Sequence, residues 1–144
     1  MIEGGCRCGA VRYSLAVADL PPAYCCHCLD CQASSGSAFS EQAVAAAPVA
    51  AEGPIIDYRF TRPDGSDSHH RLCGQCFTRL WSTNSTYPEI TLLRAGTLDR
   101  SQDLRPAAHI WVKRKQDWVV LPPDVPQWPE NAPAAEFARA LGPR

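Results

Sequence analysis

The chain has 144 residues, which is the usual size of a single domain. Hydrophobic residues make up 45% of it and charged residues 20%, values that are typical of a folded globular protein and exclude a disordered one. Because 14 Lys and Arg residues stand against 15 Asp and Glu residues, the net charge of −1 provides no basic field for a nucleic-acid backbone. The composition therefore disfavours nucleic acid as a partner.

The first half of the chain predicts strands through alternation of apolar and polar residues. Residues 10–17 predict a half-buried strand, with one face formed by Val11, Tyr13, Leu15 and Val17. Residues 40–47 are ambiguous, because their alanine-rich run favours helix and their neighbourhood favours strand. Residues 55–61 also alternate, and the Pro and Gly of residues 62–66 predict a turn. We therefore expect residues 67–72 to return antiparallel and to deliver the cysteines that follow to the end of a hairpin.

The second half predicts further strands and then an extended tail. Residues 89–96 and 108–112 have the β-branched and aromatic content of strands, so we predict a mainly β fold. Prolines recur from Leu121 onward, which disfavours regular helix and favours a surface tail, and only residues 134–141 suit a short helix. We therefore divide the chain into a domain, residues 1–128, and a Pro- and Ala-rich tail, residues 129–144.

No segment predicts membrane insertion or export. The longest apolar stretches, such as residues 43–51, are interrupted by Pro48 and fall short of the ~20 residues that a bilayer span needs. Residues 1–5 lack the basic and hydrophobic segment of an export signal. We expect a cytoplasmic protein that does not bind a membrane.

Cysteine is the unusual component, with eight residues in three groups: Cys6 and Cys8; Cys25, Cys26, Cys28 and Cys31; Cys73 and Cys76. In a reducing cytosol, cysteines at such spacings indicate metal binding or thiol chemistry rather than disulfides.

One set of four cysteines predicts a closed zinc site. Zinc prefers tetrahedral thiolate sets, and the Cys-x-x-Cys of Cys73 and Cys76 forms half of one. Cys6 and Cys8 supply the other half if they lie on an extended strand, where residues two apart point the same way. We expect such a site to be structural and to support folding of a small domain.

The central group predicts a second ion with three ligands, Cys26, Cys28 and Cys31. Catalytic zinc sites commonly keep three protein ligands and leave the fourth position to water or substrate, which suits a soft sulfur ligand. Cys25 is an alternative fourth ligand that would close the site. His27 either tunes a neighbouring thiolate or transfers protons, or it has only a supporting role.

Two plainer interpretations remain open. The cysteines could be buried and metal-free, since free cysteine packs as a small hydrophobe. Alternatively, both ions could be purely structural, as in zinc-ribbon modules that bind protein or nucleic acid. His69 and His70 could also ligate a metal, but alternation along a hairpin turns one of them to solvent, and we do not assign them to a site.

At these residues the chain resembles the glutathione-dependent formaldehyde-activating enzyme family, which includes centromere-associated (centromere protein V-like) relatives. The matching stretches begin at Gly4-Gly5-Cys6-Arg7-Cys8-Gly9-Ala10 and continue with Cys26-His27-Cys28-Leu29-Asp30-Cys31-Gln32, Ser35-Gly36-Ser37-Ala38-Phe39, Leu72-Cys73-Gly74-Gln75-Cys76, Ala95-Gly96-Thr97-Leu98-Asp99 and His109-Ile110-Trp111. The similarity extends over roughly residues 4 to 128, and the motifs come in the right order.

The resemblance implies a mainly β fold, β-tent-like, in which antiparallel sheets close over two zinc ions of unlike function. It implies that one ion is structural, held by Cys6, Cys8, Cys73 and Cys76, and that the other is catalytic, held by Cys26, Cys28 and Cys31. It also implies carbon–sulfur lyase chemistry, in which formaldehyde is joined reversibly to glutathione. Our first hypothesis is such a zinc-dependent enzyme acting on a small thiol and an aldehyde. The alternative is a zinc-stabilised binding module for a protein or nucleic-acid partner.

The chain departs from the family pattern in three places. Phe77 follows Cys76, where the family usually has glycine, which readily takes a positive φ, so we expect a different turn at the structural ion. Cys25 is an additional cysteine. The Pro-rich tail beyond Trp128 has no clear counterpart.

Overall fold

The computed structural model describes residues 1–142, in which strands predominate over two short α-helices. The predicted mainly β class is confirmed. Two compact units are formed, one from residues 1–21 and 43–103 and the other from residues 22–42 together with the chain from residue 104 onward. Within the described range no helix combines the length and the apolar character that crossing a bilayer requires.

The first unit contains a small antiparallel sheet in the order β1-β2-β5, formed by β1 (Ile2–Gly5), β2 (Arg12–Leu15) and β5 (Val49–Glu52). Leu15 pairs with Ile2 on one side and with Val49 on the other. The strand expected over residues 10–17 is present in shortened form, and its apolar face is buried as predicted at Val11, Tyr13 and Leu15.

The same unit contains an antiparallel meander of four strands: β6 (Ile55–Thr61), β7 (Asp67–Cys73), β8 (Arg79–Asn84) and β9 (Tyr87–Arg94). The hairpin expected over residues 55–72 is confirmed, with Ile55 opposite Cys73 and Thr61 opposite Asp67. Its turn is closed by the amide of Gly65, which donates to the Arg62 carbonyl at 2.9 Å.

The core of the first unit contains side chains from the small sheet and from the meander. Leu15, Leu80 and Leu93 have no exposed surface, and the rings of Tyr13 and Trp81 lie 5.7 Å apart. Each such side chain contributes roughly 1.5–3 kcal/mol when it is fully buried. The core therefore fixes which face of each strand turns inward, and with it the direction of the side chains on the opposite face.

The second unit contains β3 (Ala23–Cys26), α1 (Leu29–Ser35), β10 (Pro106–Ile110) and α2 (Ala134–Leu141). β4 (Ser40–Ala45) leads from this unit into the first. The ambiguous residues 40–47 therefore form a strand that ends at Ala45. β3 and β10 pair in parallel, which differs from the antiparallel sheets that the resemblance implied. A parallel pair needs a long connection, and here the connection includes most of the first unit.

Two local features of the second unit were not predicted from the sequence. Helix α1 has Cys28 as its N-cap, whose sulfur accepts from the amide of Cys31, and Gly36 as its C-cap, with φ +67. The last strand runs over residues 106–110 rather than 108–112, because Trp111 takes a left-handed φ of +60 and ends it.

The C-terminal segment runs alongside β10. The His109 amide donates to the Pro126 carbonyl at 2.9 Å, and the Trp128 amide donates to the His109 carbonyl at 3.0 Å. The predicted helix over residues 134–141 is present, and Phe137 packs edge-on against Tyr24 at 5.0 Å. The division into residues 1–128 and 129–144 remains a prediction, and Pro143 and Arg144 lie outside the described residues.

Candidate metal centres

The four-cysteine cluster consists of Cys6, Cys8, Cys73 and Cys76, all in the first unit. Their sulfur atoms all lie within 4.8 Å of one another, with 3.5 Å between Cys6 and Cys8 and 3.8 Å between Cys8 and Cys73. Tetrahedral zinc with Zn–S bonds of about 2.3 Å places its sulfurs about 3.8 Å apart. The donor set and its spacing therefore fit a closed four-thiolate zinc site.

Cys6 and Cys8 are brought together by a turn rather than by a strand. β1 ends at Gly5, and the Gly9 amide donates to the Cys6 carbonyl at 3.1 Å, with Gly9 at φ +80. The extended geometry expected for these two cysteines is therefore wrong. The turn has a further effect, because the Val11 amide donates to the Cys6 sulfur at 3.2 Å and stabilises it as a thiolate.

Cys73 and Cys76 lie at the end of the β6–β7 hairpin, as the sequence indicated. Cys73 is the last residue of β7, and Cys76 lies in the turn to β8, where the Thr78 hydroxyl is 3.1 Å from its sulfur. Hydrogen bonds from the Thr78 side chain and backbone lower the pKa of Cys76 to about 5. Phe77 adopts φ +57, so the phenylalanine takes the left-handed conformation that glycine would take easily.

The three-cysteine cluster consists of Cys26, Cys28 and Cys31 in the second unit, with sulfur atoms that also lie within 4.8 Å of one another. Cys26 is the last residue of β3, and Cys28 is the N-cap of α1, where its sulfur lies 3.4 Å from the Cys31 amide. A strand end, a cap and a first helical turn thus direct three sulfurs to one point. Cys28 and Cys31 are half-buried, whereas Cys26 is buried.

The electrostatics of this cluster favour a bound cation. The hydrogen bond with Cys31 and burial raise the pKa of the Cys26 thiol, and burial raises the pKa of Cys28. Three sulfurs this close cannot all ionise without repelling one another. A divalent ion removes that repulsion, and the all-thiolate donor set suits zinc.

Cys25 is not a member of the three-cysteine cluster. It precedes Cys26 on β3, where successive side chains point to opposite faces of a strand. Cys25 is 2% exposed, and burial together with the negative charge of Glu41 raises the pKa of its thiol to about 12. The arrangement therefore favours three sulfurs at this point over four.

His27, between two of the clustered cysteines, forms a contact that the sequence analysis missed. Its Nε2 lies 3.1 Å from Nδ1 of His109 on β10, and both rings are buried. Burial and the charges of His109 and Lys115 lower the pKa of His27 to about 4, so the ring is neutral near pH 7. The His109-Ile110-Trp111 motif was the available signal, but nothing in it identified His27 as the partner.

Comparisons with known proteins identify the family of the chain. The model of the family "glutathione-dependent formaldehyde-activating enzyme" matches residues 1–114, a range that contains both cysteine clusters. The chain belongs to this family. A Halomonas elongata protein with the provisional name glutathione-dependent formaldehyde-activating enzyme is 26% identical over 127 residues, which cover 84% of this chain and 81% of that protein.

A solved structure supports the fold alone. The crystal structure of a Rhodobacter sphaeroides protein aligns with a TM-score of 0.52 at 20% sequence identity. The alignment covers 72% of this chain and 97% of that one. Family membership therefore rests on the sequence match, and the structural match shows a similar arrangement of the backbone and nothing more.

Proposed function

We propose that this member of the family is a zinc-dependent carbon–sulfur lyase that reversibly joins a small aldehyde to a thiol, with formaldehyde and glutathione as the pair. The observation that carries the proposal is the difference between the two clusters. One brings four sulfurs together and the other brings three, which is the usual difference between closed structural zinc sites and open catalytic ones.

We assign a structural zinc ion to Cys6, Cys8, Cys73 and Cys76, and a catalytic zinc ion to Cys26, Cys28 and Cys31. The first set joins the β1–β2 turn to the end of the β6–β7 hairpin, so it stabilises the fold of the first unit. We assign the activity to the domain of residues 1–128 and treat residues 129–144 as an extension of it. The many free cysteines suit a reducing compartment, and we place the protein in the cytoplasm.

In the proposed reaction the glutathione sulfur attacks the aldehyde carbon. The S–H bond breaks, an S–C bond forms, and the proton ends on the former carbonyl oxygen, so that the adduct carries a hydroxymethyl group on sulfur. A zinc ion held by three thiolates would supply an open coordination position that lowers the pKa of the incoming thiol. Cys26, Cys28 and Cys31 together bring negative charge to the site, so we expect orientation of the reactants to contribute more than polarisation.

Native mass spectrometry of the zinc-loaded protein, combined with turnover of formaldehyde and glutathione, tests the proposal. Cys28→Ser is the informative variant, because serine also caps a helix N-terminus and α1 should therefore persist. We expect this variant to keep one zinc ion and to lose turnover. Cys25→Ala is the matched control, since it removes a neighbouring sulfur outside the cluster and should keep two zinc ions and turnover.

Two results would contradict the proposal. Full turnover in Cys28→Ser would remove Cys28 from the catalytic site. Two bound zinc ions in a wild-type protein that binds no small thiol and shows no turnover would instead favour a binding module.

A further inference from the structure

Strand β6 forms an open edge of its sheet. It pairs with β7 along one side, and within residues 1–142 no strand pairs with its other side. Residues 56–61 of this strand are all exposed. Proteins usually protect such an edge with proline, lysine or a bulge, because it is a template for another strand. β6 contains neither proline nor lysine, and its register with β7 is continuous over all seven residues, so the edge is regular and uncovered.

The hydrogen bonds just beyond the two ends of β6 show which backbone groups face the open edge. The Arg62 amide donates to the Ser66 carbonyl at 2.8 Å, and the Gly74 amide donates to the Pro54 carbonyl at 2.7 Å. Hydrogen-bonded pairs alternate along an antiparallel ladder, so the even-numbered residues of β6 bond to β7. The amides and carbonyls of the odd-numbered residues therefore point to the open edge: Ile55, Asp57, Arg59 and Thr61.

The sequence of β6, Ile-Ile-Asp-Tyr-Arg-Phe-Thr, is complementary to its own reverse. When two copies run antiparallel with Tyr58 opposite the partner's Tyr58, Asp57 lies opposite the partner's Arg59. The same register sets Ile56 opposite the partner's Phe60. Opposite-charge and aromatic pairs across two strands stabilise a sheet, and like charges directly opposite destabilise it.

Hydrogen bonding and charge together select this register. It sets odd-numbered residues opposite odd-numbered residues, so the outward amides and carbonyls of both edges meet. A register shifted by two residues also satisfies the backbone, but it sets Asp57 opposite the partner's Asp57 or Arg59 opposite the partner's Arg59. Such like-charge pairs are unfavourable, so the register centred on Tyr58 is the one that both requirements favour.

The side chains of this edge have surface to offer a partner. Ile56 is 43% exposed, Tyr58 51% and Phe60 38%. Asp57 accepts from Arg71 at 3.0 Å within the chain, yet its side chain remains 50% exposed. Arg59 is exposed as well, and its contact with His69 uses Nε, so the terminal nitrogens of the guanidinium are the ones that would reach a partner's carboxylate.

We propose that β6 is an interaction surface for a second copy of this chain, and that two copies pair antiparallel through their β6 strands with Tyr58 at the two-fold axis. The backbone of Asp57 exchanges hydrogen bonds with that of the partner's Arg59, and the two side chains form an ion pair. By symmetry this pair occurs twice. Seven residues per copy fall short of the roughly 20–30 per partner of a standard interface, so the dimer exchanges with the monomer and depends on protein concentration.

Sedimentation velocity of the zinc-loaded protein over a range of concentrations tests the proposal. The fraction of wild-type dimer should rise with concentration. Asp57→Arg and Arg59→Asp each set like charges opposite one another at both paired positions, so each should weaken self-association by at least about tenfold. Glu89→Arg is the matched control for Asp57→Arg, because it changes the charge equally on β9, which two strands separate from β6. We expect Glu89→Arg to leave the dimer fraction unchanged.

A mixture of the two β6 variants tests the register. The Asp57→Arg chain carries two arginines at the paired positions and the Arg59→Asp chain carries two aspartates, so opposite charges meet again when one copy of each pairs. We expect an equimolar mixture to form this mixed dimer at concentrations at which each variant alone is monomeric. Misfolding caused by loss of the contact between Asp57 and Arg71 would not be repaired by mixing, so the recovery separates strand pairing from folding.

Amide hydrogen exchange in the wild type provides a readout that does not depend on variants. The amides of Asp57 and Arg59 should exchange more slowly as the protein concentration rises, because they become hydrogen-bonded in the dimer. The Tyr58 amide already bonds to β7 within one copy, so its exchange should depend on concentration much less.

Four results would each overturn the proposal. They are a wild type that stays monomeric up to about 1 mM, a dimer that Asp57→Arg leaves intact, a variant mixture that stays monomeric, and exchange at Asp57 and Arg59 that does not change with concentration. A β6 edge that binds an unrelated extended peptide but not a second copy would also contradict it.

Discussion

Phe77 provides a sharp test of how the turn at the four-cysteine cluster is formed. Its amide donates to the Cys73 carbonyl at 3.0 Å, and its φ of +57 completes the turn that positions Cys76. The ring itself does little there, because the residue is 64% exposed. We therefore compare Phe77→Gly with Phe77→Ala, two variants that both remove the ring and differ in the backbone they favour.

The expected difference follows from the backbone alone. A left-handed conformation costs a residue with a side chain roughly 1–2 kcal/mol, and glycine avoids this cost. Glycine also loses more chain entropy on folding, by roughly 0.5–1 kcal/mol relative to alanine. Phe77→Gly should therefore have a free energy of unfolding about 0.5–1 kcal/mol greater than that of Phe77→Ala.

Urea denaturation at a fixed free zinc concentration measures this difference. Ala138→Gly is the reference for an ordinary position, because Ala138 is exposed within α2, where glycine should be less stable than alanine by about 1 kcal/mol. The sign of the glycine–alanine difference should thus reverse between the two positions. If Phe77→Ala is as stable as Phe77→Gly, the left-handed turn does not have the role that we assign to it.

Two further predictions concern the first unit. Gly53→Ala should lower the free energy of unfolding by more than about 3 kcal/mol, because φ is +108 and a Cβ would lie 2.1 Å from the Ala10 carbonyl oxygen. Gly65 has φ +83 and nothing within 4 Å of an added Cβ, so Gly65→Ala should lower the free energy of unfolding by only about 1 kcal/mol in urea denaturation. Equal losses of stability in the two variants would contradict the clash expected at residue 53. Tyr13→Phe removes the 2.7 Å contact with the Thr97 hydroxyl and should cost about 1 kcal/mol at pH 7. Burial raises the pKa of Tyr13 to about 12, so the wild type should lose stability as the pH rises from about 10 to 12. Tyr13→Phe should lack this loss of stability at alkaline pH. Identical pH profiles for the wild type and the variant would refute the assignment of the loss to Tyr13.

The sequence predicted those elements that are determined by local pattern. Residues 55–61 alternate and are followed by Pro and Gly, so the hairpin, its turn and the delivery of Cys73 to its end all followed from short-range chemistry. The helix over residues 134–141 followed from the absence of proline within it. Helix α1 was missed because it has only seven residues and its N-cap is a cysteine, a residue that carries no ordinary capping signal.

The candidate site was predictable in membership but not in geometry. Cysteine spacing indicated sets of four and three, and the structure brings the same residues together. The sequence placed Cys6 and Cys8 on a strand, but a turn with Gly9 at positive φ joins them. The contact between His27 and His109 depends on the parallel pairing of β3 with β10. The two strands are far apart in the sequence, so no local sequence pattern predicts their pairing.

The sequence by itself indicated which cysteines belong to each cluster, because thiolate spacing and strand alternation are properties of neighbouring residues. Tertiary structure alone decided which side chains those residues contact. The strand register places His70 between Tyr58 and Ser82, and the parallel pairing of β3 with β10 places His27 beside His109. Strand register depends on which side chains the folded sheet buries, so these contacts become visible only after the chain has folded.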